Sequence, residues 1–164
     1  MRVLVVGATG ILRPAVVALA ARGDDVTGVS RGVAGIPDGV RALAVDARDR
    51  DALAATLGGR HWDRAIVYRN AVRAESLPEI ELRVEGRLVL VRTSGAADPA
   101  RGDEPLERPN VLQLGWTDDG SGGTRWHTRE EISEAALAVF DDGEYRMLGA
   151  VSYTHLTLPT NREV

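Results

Sequence analysis

Residues 3–14 read Val-Leu-Val-Val-Gly-Ala-Thr-Gly-Ile-Leu-Arg-Pro, and this stretch decides the fold of the chain. The apolar run from Val3 to Val6 is typical of a short parallel strand that is buried on both faces. Gly7 and Gly10 then predict a turn. Apolar residues recur at helical spacing over residues 16–23. We therefore predict a strand, a glycine turn and a helix in immediate succession.

A glycine turn between a strand and a helix is suited to bind phosphate. Such a turn presents free backbone N–H groups and the positive end of the helix dipole, and glycine lets the backbone approach a pyrophosphate closely. Pro14 is compatible with this helix, because the N–H groups of the first helical turn have no partner within the helix. The residues predicted to contact a dinucleotide here are Gly7, Thr9, Gly10, Ile11, Leu12 and Arg13.

The remainder of the chain alternates apolar runs with helical patterns. In 164 residues this alternation is typical of one α/β domain. We predict a doubly wound, mainly parallel sheet of about six strands with helices on both faces, a Rossmann-like fold.

The Gly-Ala-Thr-Gly pattern of residues 7–10 resembles the atypical branch of the short-chain dehydrogenase/reductase superfamily. Residues 125–132, Arg-Trp-His-Thr-Arg-Glu-Glu-Ile, are also similar to a segment of a small group of bacterial proteins of this kind. The resemblance extends from Met1 to Val151 and implies NAD(P) binding and oxidoreductase chemistry. The chain departs from the family pattern at Arg13, which replaces the third glycine.

Two positions bear on which dinucleotide is bound. Arg31 follows the strand predicted over residues 25–30, where a carboxylate would favour NAD and an arginine can bind a 2′-phosphate. We therefore expect NADP rather than NAD, although a strand-end arginine can also simply be solvated. The resemblance implies that Asp46, with Ala47 beside it, contacts the adenine. Asp46 can alternatively cap the next helix, for which Asp49 is better placed.

Three side chains are candidates for catalysis. Tyr68 ends a predicted strand beside the expected nicotinamide position, and the resemblance implies that Ser94 binds a substrate carbonyl. His127 can serve as a general acid or base. Each has a plainer interpretation: Tyr68 as a packing residue, Ser94 as a turn residue, and His127 as a residue that orients a helix entrance or lies at the surface. The chain contains no lysine, which excludes the tyrosine-lysine pair of ordinary short-chain dehydrogenases.

Two long connections leave predicted strand ends, over residues 95–109 and 116–127. Connections of this kind are usually functional or disordered, and a lid over the ligand is one interpretation. Trp116 and Trp126 either wall a substrate pocket or anchor the second connection. Thr128 and Glu131 form a capping-box pattern that predicts the start of an amphipathic helix.

The composition excludes several classes of function. The chain has no cysteine and a formal net charge of -4, which gives no reason to expect a thiolate metal site or general nucleic-acid binding. No His, Asp or Glu spacing predicts a metal site. No apolar run is long enough to span a bilayer, and we expect a cytoplasmic protein.

The expected partners are a dinucleotide and an unknown small-molecule substrate. An enzyme and a non-enzymatic NADP(H)-binding sensor or regulator both remain open, and the sequence carries no signal for oligomeric state.

Residues 151–160 read Val-Ser-Tyr-Thr-His-Leu-Thr-Leu-Pro-Thr, which resembles the translation of a transposase adapter from sequencing libraries. We expect a natural domain over residues 1–150 and an artefactual tail over residues 151–164. A genuine short strand is the alternative, since Val151, Tyr153 and His155 alternate.

Overall fold

The computed structural model describes residues 1–93 and 107–149. The expected tail and Ser94 therefore lie outside the described residues. The strands are β1 (Arg2–Val6), β2 (Asp25–Ser30), β3 (Arg41–Ala44), β4 (Arg64–Tyr68), β5 (Leu88–Arg92), β6 (Val111–Leu114), β7 (Thr117–Asp118), β8 (Thr124–Arg125) and β9 (Arg146–Leu148). The α-helices are α1 (Arg13–Ala21), α2 (Arg50–Leu57), α3 (Leu77–Glu81) and α4 (Arg129–Asp142), and a 3-10 helix spans Arg69–Ala71.

Seven strands form one parallel sheet in the order β3-β2-β1-β4-β5-β6-β9. This confirms the predicted doubly wound α/β fold, with β9 as one strand more than the six expected. The chain reverses its direction across the sheet between β1 and β4. Such a reversal opens a crevice at the carboxyl ends of the two strands, which is where doubly wound sheets bind ligands.

The sheet separates two apolar layers because side chains alternate along each strand. Val3 and Val5 of β1 face a core that contains residues of α1 and α4. Leu4 and Val6 face the opposite core, against α2. All four side chains are fully buried, and burial of each stabilises the fold by roughly 1.5–3 kcal/mol. The continuous apolar run of β1 is thus explained by contact on both faces.

Local capping sets where two of the helices begin. The Asp49 carboxylate accepts a hydrogen bond from the Ala52 amide at 3.1 Å, so Asp49 is the N-cap of α2. At α4, the Thr128 hydroxyl accepts from the Glu131 amide and the Glu131 carboxylate accepts from the Thr128 amide, which confirms the capping box.

Two regions differ from the sequence expectation in detail. The sequence of residues 74–82 permits a helix that Pro78 limits or kinks, and α3 spans only Leu77–Glu81, with Pro78 in its first turn. A proline is compatible with that turn and not with a longer helix preceding it. The connection over residues 116–127 contains a short antiparallel hairpin, β7-β8, within what was expected to be irregular chain.

Among the described residues, no helix is long and apolar enough to cross a membrane, and the cytoplasmic location stays a prediction.

Candidate functional site

A cleft of about 410 Å³ lies at the carboxyl ends of β1, β2 and β4, at the point where the strand order reverses. Its volume is in the range of small-molecule and cofactor sites. The predicted dinucleotide contacts that line it are Gly7, Thr9, Gly10, Ile11, Arg31, Asp46 and Ala47. The fold thus brings together residues that follow β1, β2 and β3 in the sequence.

The floor of the cleft is the turn between β1 and α1. Gly7 has φ of +94°, a backbone conformation that residues with a side chain rarely adopt. The amides of Gly7 and Ala8 both donate to the carbonyl of Val29, at 3.0 and 3.2 Å, which fixes the turn against β2. Gly10 is differently placed, because the nearest atom to an added Cβ would be the Gly7 carbonyl oxygen at 3.8 Å. Its glycine leaves open space that a side chain would fill.

The N-terminus of α1 carries no cap of its own. Leu12 occupies the N-cap position without a side-chain hydrogen bond, and the first turn contains no acidic residue. Within residues 1–93 and 107–149, the amides of Ile11 and Leu12 have no hydrogen-bond acceptor. Free amides at the positive end of a helix dipole are the donor set that binds phosphate. The residues present therefore fit the pyrophosphate of a dinucleotide.

Leu12 and Arg13 do not line the cleft with their side chains. The Leu12 side chain is fully buried in the core shared by α1 and α4. The Arg13 guanidinium donates from Nε to the Gly35 carbonyl at 2.9 Å. Arg13, which stands in place of the family's third glycine, thereby holds the loop that follows β2.

The opposite wall of the cleft carries charged side chains. Arg31 is exposed there, and within the described part of the chain its guanidinium has no ion pair. Asp46 accepts a hydrogen bond from the Arg48 amide at 3.0 Å. The Arg48 side chain reaches in the other direction and donates to the Asn70 carbonyl at 2.8 Å. Arg48 therefore links the end of β3 to the segment after β4.

Tyr68 closes the cleft at the end of β4. Burial raises the pKa of its phenol, while a hydrogen bond with Asn70 and the positive charge of Arg48 act in the opposite direction. With its pKa raised above the ordinary value of 10.0, the phenol is protonated at neutral pH and can donate a hydrogen bond. The position and protonation state are compatible with the predicted catalytic role.

His127 lies away from this cleft, at the junction of α4 and β9. Its side chain is only 5% exposed, with Nδ1 3.1 Å from a Glu131 carboxylate oxygen and Nε2 3.1 Å from the Leu148 carbonyl. These contacts correspond to the interpretation in which His127 orients a helix entrance. A catalytic role for His127 stays a prediction, as does that of Ser94 outside the described residues.

The two tryptophans of the second connection contact each other. The ring centroids of Trp116 and Trp126 are 4.1 Å apart with an interplanar angle of 44°. Trp126 remains about half exposed, with 47% of its surface accessible. The pair joins the two ends of the segment that contains the β7-β8 hairpin, which favours the anchoring interpretation.

Sequence reasoning did not identify Gln113 or Arg48. Gln113 is fully buried in β6, where its Nε2 donates to the carbonyls of Thr93 and Leu114 at 2.9 and 3.1 Å. Its Oε1 has no partner among the residues that the structure describes. The available signal was a polar residue inside the apolar run of residues 111–114. Arg48 had no comparable signal, since its contact with Asn70 exists only in the folded chain.

No cluster of His, Cys, Asp and Glu suited to a metal ion occurs among the described residues.

Comparison with known proteins gives a consistent picture of the fold. No family model matches the chain. A Streptomyces sp protein described as "3-diazoavenalumate denitrifying reductase" is 35% identical over 109 residues, which is 62% of this chain and 36% of that protein. The chain thus spans about a third of the length of the curated relative that it matches.

Several solved structures share the architecture. A short-chain dehydrogenase/reductase from Veillonella parvula has a TM-score of 0.62 at 13% identity, covering 92% of this chain and 94% of that chain. A short-chain dehydrogenase from Streptomyces avermitilis also gives 0.62, at 15% identity, covering 98% and 92%. A carbonyl reductase from Pseudomonas aeruginosa gives 0.57 at 20% identity, covering 90% and 95%. The chain therefore has the Rossmann-like fold of the short-chain dehydrogenases/reductases, as the resemblance of its glycine turn predicted.

Proposed function

We propose that the chain binds NADP(H) in the cleft between β1, β2 and β4 and acts as an oxidoreductase on a small carbonyl or alcohol. The observation that carries the proposal is the uncapped N-terminus of α1, with its free Ile11 and Leu12 amides, in a cleft whose other wall presents Arg31. The amides suit a pyrophosphate and the guanidinium suits a further phosphate. These are the two anionic parts of NADP(H).

Arg31 supports NADP(H) over NAD(H). An NAD-preferring site places a carboxylate after the second strand to bind the ribose hydroxyls, and a carboxylate would repel a 2′-phosphate. In this chain Ser30 and Arg31 lie at the end of β2, where that carboxylate would be, and the guanidinium of Arg31 is exposed on the cleft wall. A planar guanidinium can form paired, charge-assisted hydrogen bonds with phosphate oxygens.

A bound nicotinamide would supply or accept the hydride, so the chain itself needs to orient the substrate and manage a proton. Tyr68 is the candidate for that role, because its phenol is protonated at neutral pH and lies on the cleft. A protonated phenol can donate to a carbonyl oxygen as negative charge develops there. No lysine is available to assist it.

The missing lysine also favours a second candidate function, in which the protein binds NADP(H) without catalysis as a sensor or regulator. A protein of that kind retains the nucleotide cleft and does not need the proton donor. The two functions predict the same binding and different turnover, so binding and catalysis have to be measured separately.

The Streptomyces relative suggests a different acceptor for the same hydride. In reductive loss of dinitrogen from an aryl diazonium compound, hydride forms the new C–H bond while the C–N bond breaks and N₂ leaves. No oxygen has to be protonated in that step, so it does not require the tyrosine-lysine pair that this chain lacks. The 35% identity with a protein described as "3-diazoavenalumate denitrifying reductase" makes such a compound worth including among test substrates.

Calorimetric titration of the full chain with NADPH and NADH tests the binding, and loss of NADPH absorbance with a panel of carbonyl and diazonium compounds tests the turnover. The oxidoreductase proposal expects saturable NADPH binding, weaker NADH binding, and oxidation of NADPH with at least one substrate class. Tyr68→Phe should slow the reaction of a carbonyl compound, which takes up a proton, and should leave the reaction of a diazonium compound, which does not, nearly unchanged. Tight NADPH binding without any turnover would instead support the sensor. If neither nucleotide binds to the folded chain, both proposals are wrong.

A further inference from the structure

A buried serine of α4 forms a direct hydrogen bond with the turn between β1 and α1. The hydroxyl of Ser133 donates to the carbonyl of Ile11 at 2.9 Å, across 122 residues of sequence. Ser133 is 2% exposed. In the described part of the chain, no backbone amide donates to this carbonyl, and Pro14 in the first turn of α1 has no N–H to offer. The serine therefore fixes a peptide group that the helix itself leaves free.

The orientation of that peptide group decides where the Leu12 amide points. The carbonyl of Ile11 and the N–H of Leu12 belong to one peptide unit, and in a trans peptide these two groups point in opposite directions. A hydroxyl that holds the carbonyl toward α4 consequently directs the Leu12 N–H away from α4. Among the residues that the structure describes, the Leu12 amide is one of the free donors at the start of α1.

The helix that carries Ser133 is itself firmly held. Phe140, near the end of α4, has its carbonyl oxygen bound by the guanidinium groups of Arg64 and Arg87, at 2.9 and 2.7 Å. At the other end of α1, Arg22 forms two hydrogen bonds with the Asp141 carboxylate, at 2.8 and 3.2 Å. The two helices are thus joined at both ends, by Ser133 near the cleft and by Arg22 far from it.

A serine is not the residue that helix formation or packing alone would select at this position. Serine is a poorer helix former than alanine, which occupies positions 135 and 136 of the same helix. A helical serine commonly donates to a carbonyl one turn earlier in its own helix. Ser133 donates instead to another element, at the edge of the candidate site.

We propose that Ser133 is a positioning residue for dinucleotide binding, which holds the Ile11 carbonyl so that the Leu12 amide is presented to the pyrophosphate. This inference rests on the proposed NADP(H) binding. Ser133 itself does not need to touch the cofactor.

The test compares Ser133→Ala with Arg22→Ala in the full chain, using NADPH and 2′-AMP as ligands. Both variants remove a link between α1 and α4, but only the first removes the link beside the turn. Since 2′-AMP has no pyrophosphate, it reports the adenosine and 2′-phosphate contacts alone. We expect Ser133→Ala to raise the Kd of NADPH about three- to tenfold, the effect of one lost hydrogen bond, while leaving 2′-AMP binding unchanged. Arg22→Ala should change neither.

An unchanged NADPH affinity in Ser133→Ala would overturn the inference. An equal loss of affinity for NADPH and for 2′-AMP would also overturn it, because such a loss indicates a general effect on the fold. Absence of NADPH binding in the unmodified chain would be a failure of the proposed function and is seen before any variant is made. If Ser133→Ala does not fold, Ser133→Cys retains a weak donor of similar volume and is expected to weaken NADPH binding selectively.

Discussion

Gly7 and Tyr68 lie against each other at the base of the cleft: a Cβ atom on Gly7 would be 3.1 Å from the Cβ of Tyr68. The turn after β1 and the end of β4 are therefore adjacent, with no space between them for a side chain. Gly7 is also held at a φ of +94°. The glycine is required twice, once by the close approach and once by the backbone conformation.

Gly7→Ala should consequently destabilise the fold. A residue with a side chain in this conformation costs roughly 1–3 kcal/mol, and the contact with Tyr68 adds to it. We expect a lower midpoint in chemical denaturation together with loss of NADPH binding. A variant with the stability of the unmodified chain would contradict the geometry described for the turn.

Gly10→Ala should weaken NADPH binding without destabilising the fold, in contrast to Gly7→Ala. Its φ is not positive, and an added Cβ would meet nothing closer than the Gly7 carbonyl oxygen at 3.8 Å. We expect near-normal stability, because the backbone accommodates the methyl group, and clearly weaker NADPH binding, because that group occupies the approach to the turn. Denaturation and calorimetric titration of the same sample separate the two effects. Unchanged NADPH affinity would place the pyrophosphate elsewhere.

Arg31→Ala should remove the preference for NADPH over NADH. A hydrogen bond to a charged group contributes about 1.5–3 kcal/mol, which corresponds to roughly 10- to 150-fold in Kd. We expect the affinity for NADPH to fall by a factor in this range and the affinity for NADH to change little, as measured by calorimetric titration. Arg129→Ala is the matched control, since Arg129 is an exposed arginine at the start of α4 and does not line the cleft. Equal losses for the two nucleotides would argue against a contact between Arg31 and the 2′-phosphate.

Glu131 should make the junction of α4 and β9 sensitive to acid. A hydrogen bond from Arg125 is the main cause that lowers the pKa of this carboxyl from 4.5 to about 2, with smaller contributions from His127 and the Thr128 amide. Since the pKa is lower in the folded chain, the ionised carboxylate stabilises the fold above pH 4.5, and this stabilisation is lost as the pH falls toward 2.

Glu131→Gln is the variant that tests this sign, because glutamine retains an acceptor for the capping box and removes the charge. We expect the variant to melt below the unmodified chain at pH 6 and the difference to shrink as the pH approaches 2. In an Arg125→Ala background the pH-dependent difference should become smaller, since the main cause is gone. A difference in melting temperature between Glu131→Gln and the unmodified chain that stays constant across this pH range would contradict the lowered pKa of Glu131.

The parts of the fold that the sequence predicts are those determined locally. The strand from Val3 to Val6 and its glycine turn follow from four buried apolar residues and two glycines that are adjacent in the chain. Asp49 and Thr128 cap helices that begin within three residues of them. In each case the residues that determine the structure are near neighbours, so a pattern of residue types is sufficient.

The parts that the sequence does not predict depend on contacts between distant segments. Arg13 binds the Gly35 carbonyl, and Ser133 binds the Ile11 carbonyl, yet neither acceptor has a side-chain signature, because any residue carries a carbonyl. His127 could be assigned to the cleft or to a helix entrance until the position of Leu148 in β9 was known. Arg31, by contrast, lies on the cleft wall, and its position follows directly from the end of β2.

The measurement that tests the central claim most directly is the thermal stability of the chain against increasing NADPH and NADH in parallel. A ligand that binds only the folded state raises the melting temperature with its concentration, by an amount equivalent to about 2.7 kcal/mol at 100 times its Kd. We predict a progressive rise with NADPH and a much smaller one with NADH. A folded chain whose melting temperature is unchanged by either nucleotide would contradict the assignment of the cleft as a dinucleotide site.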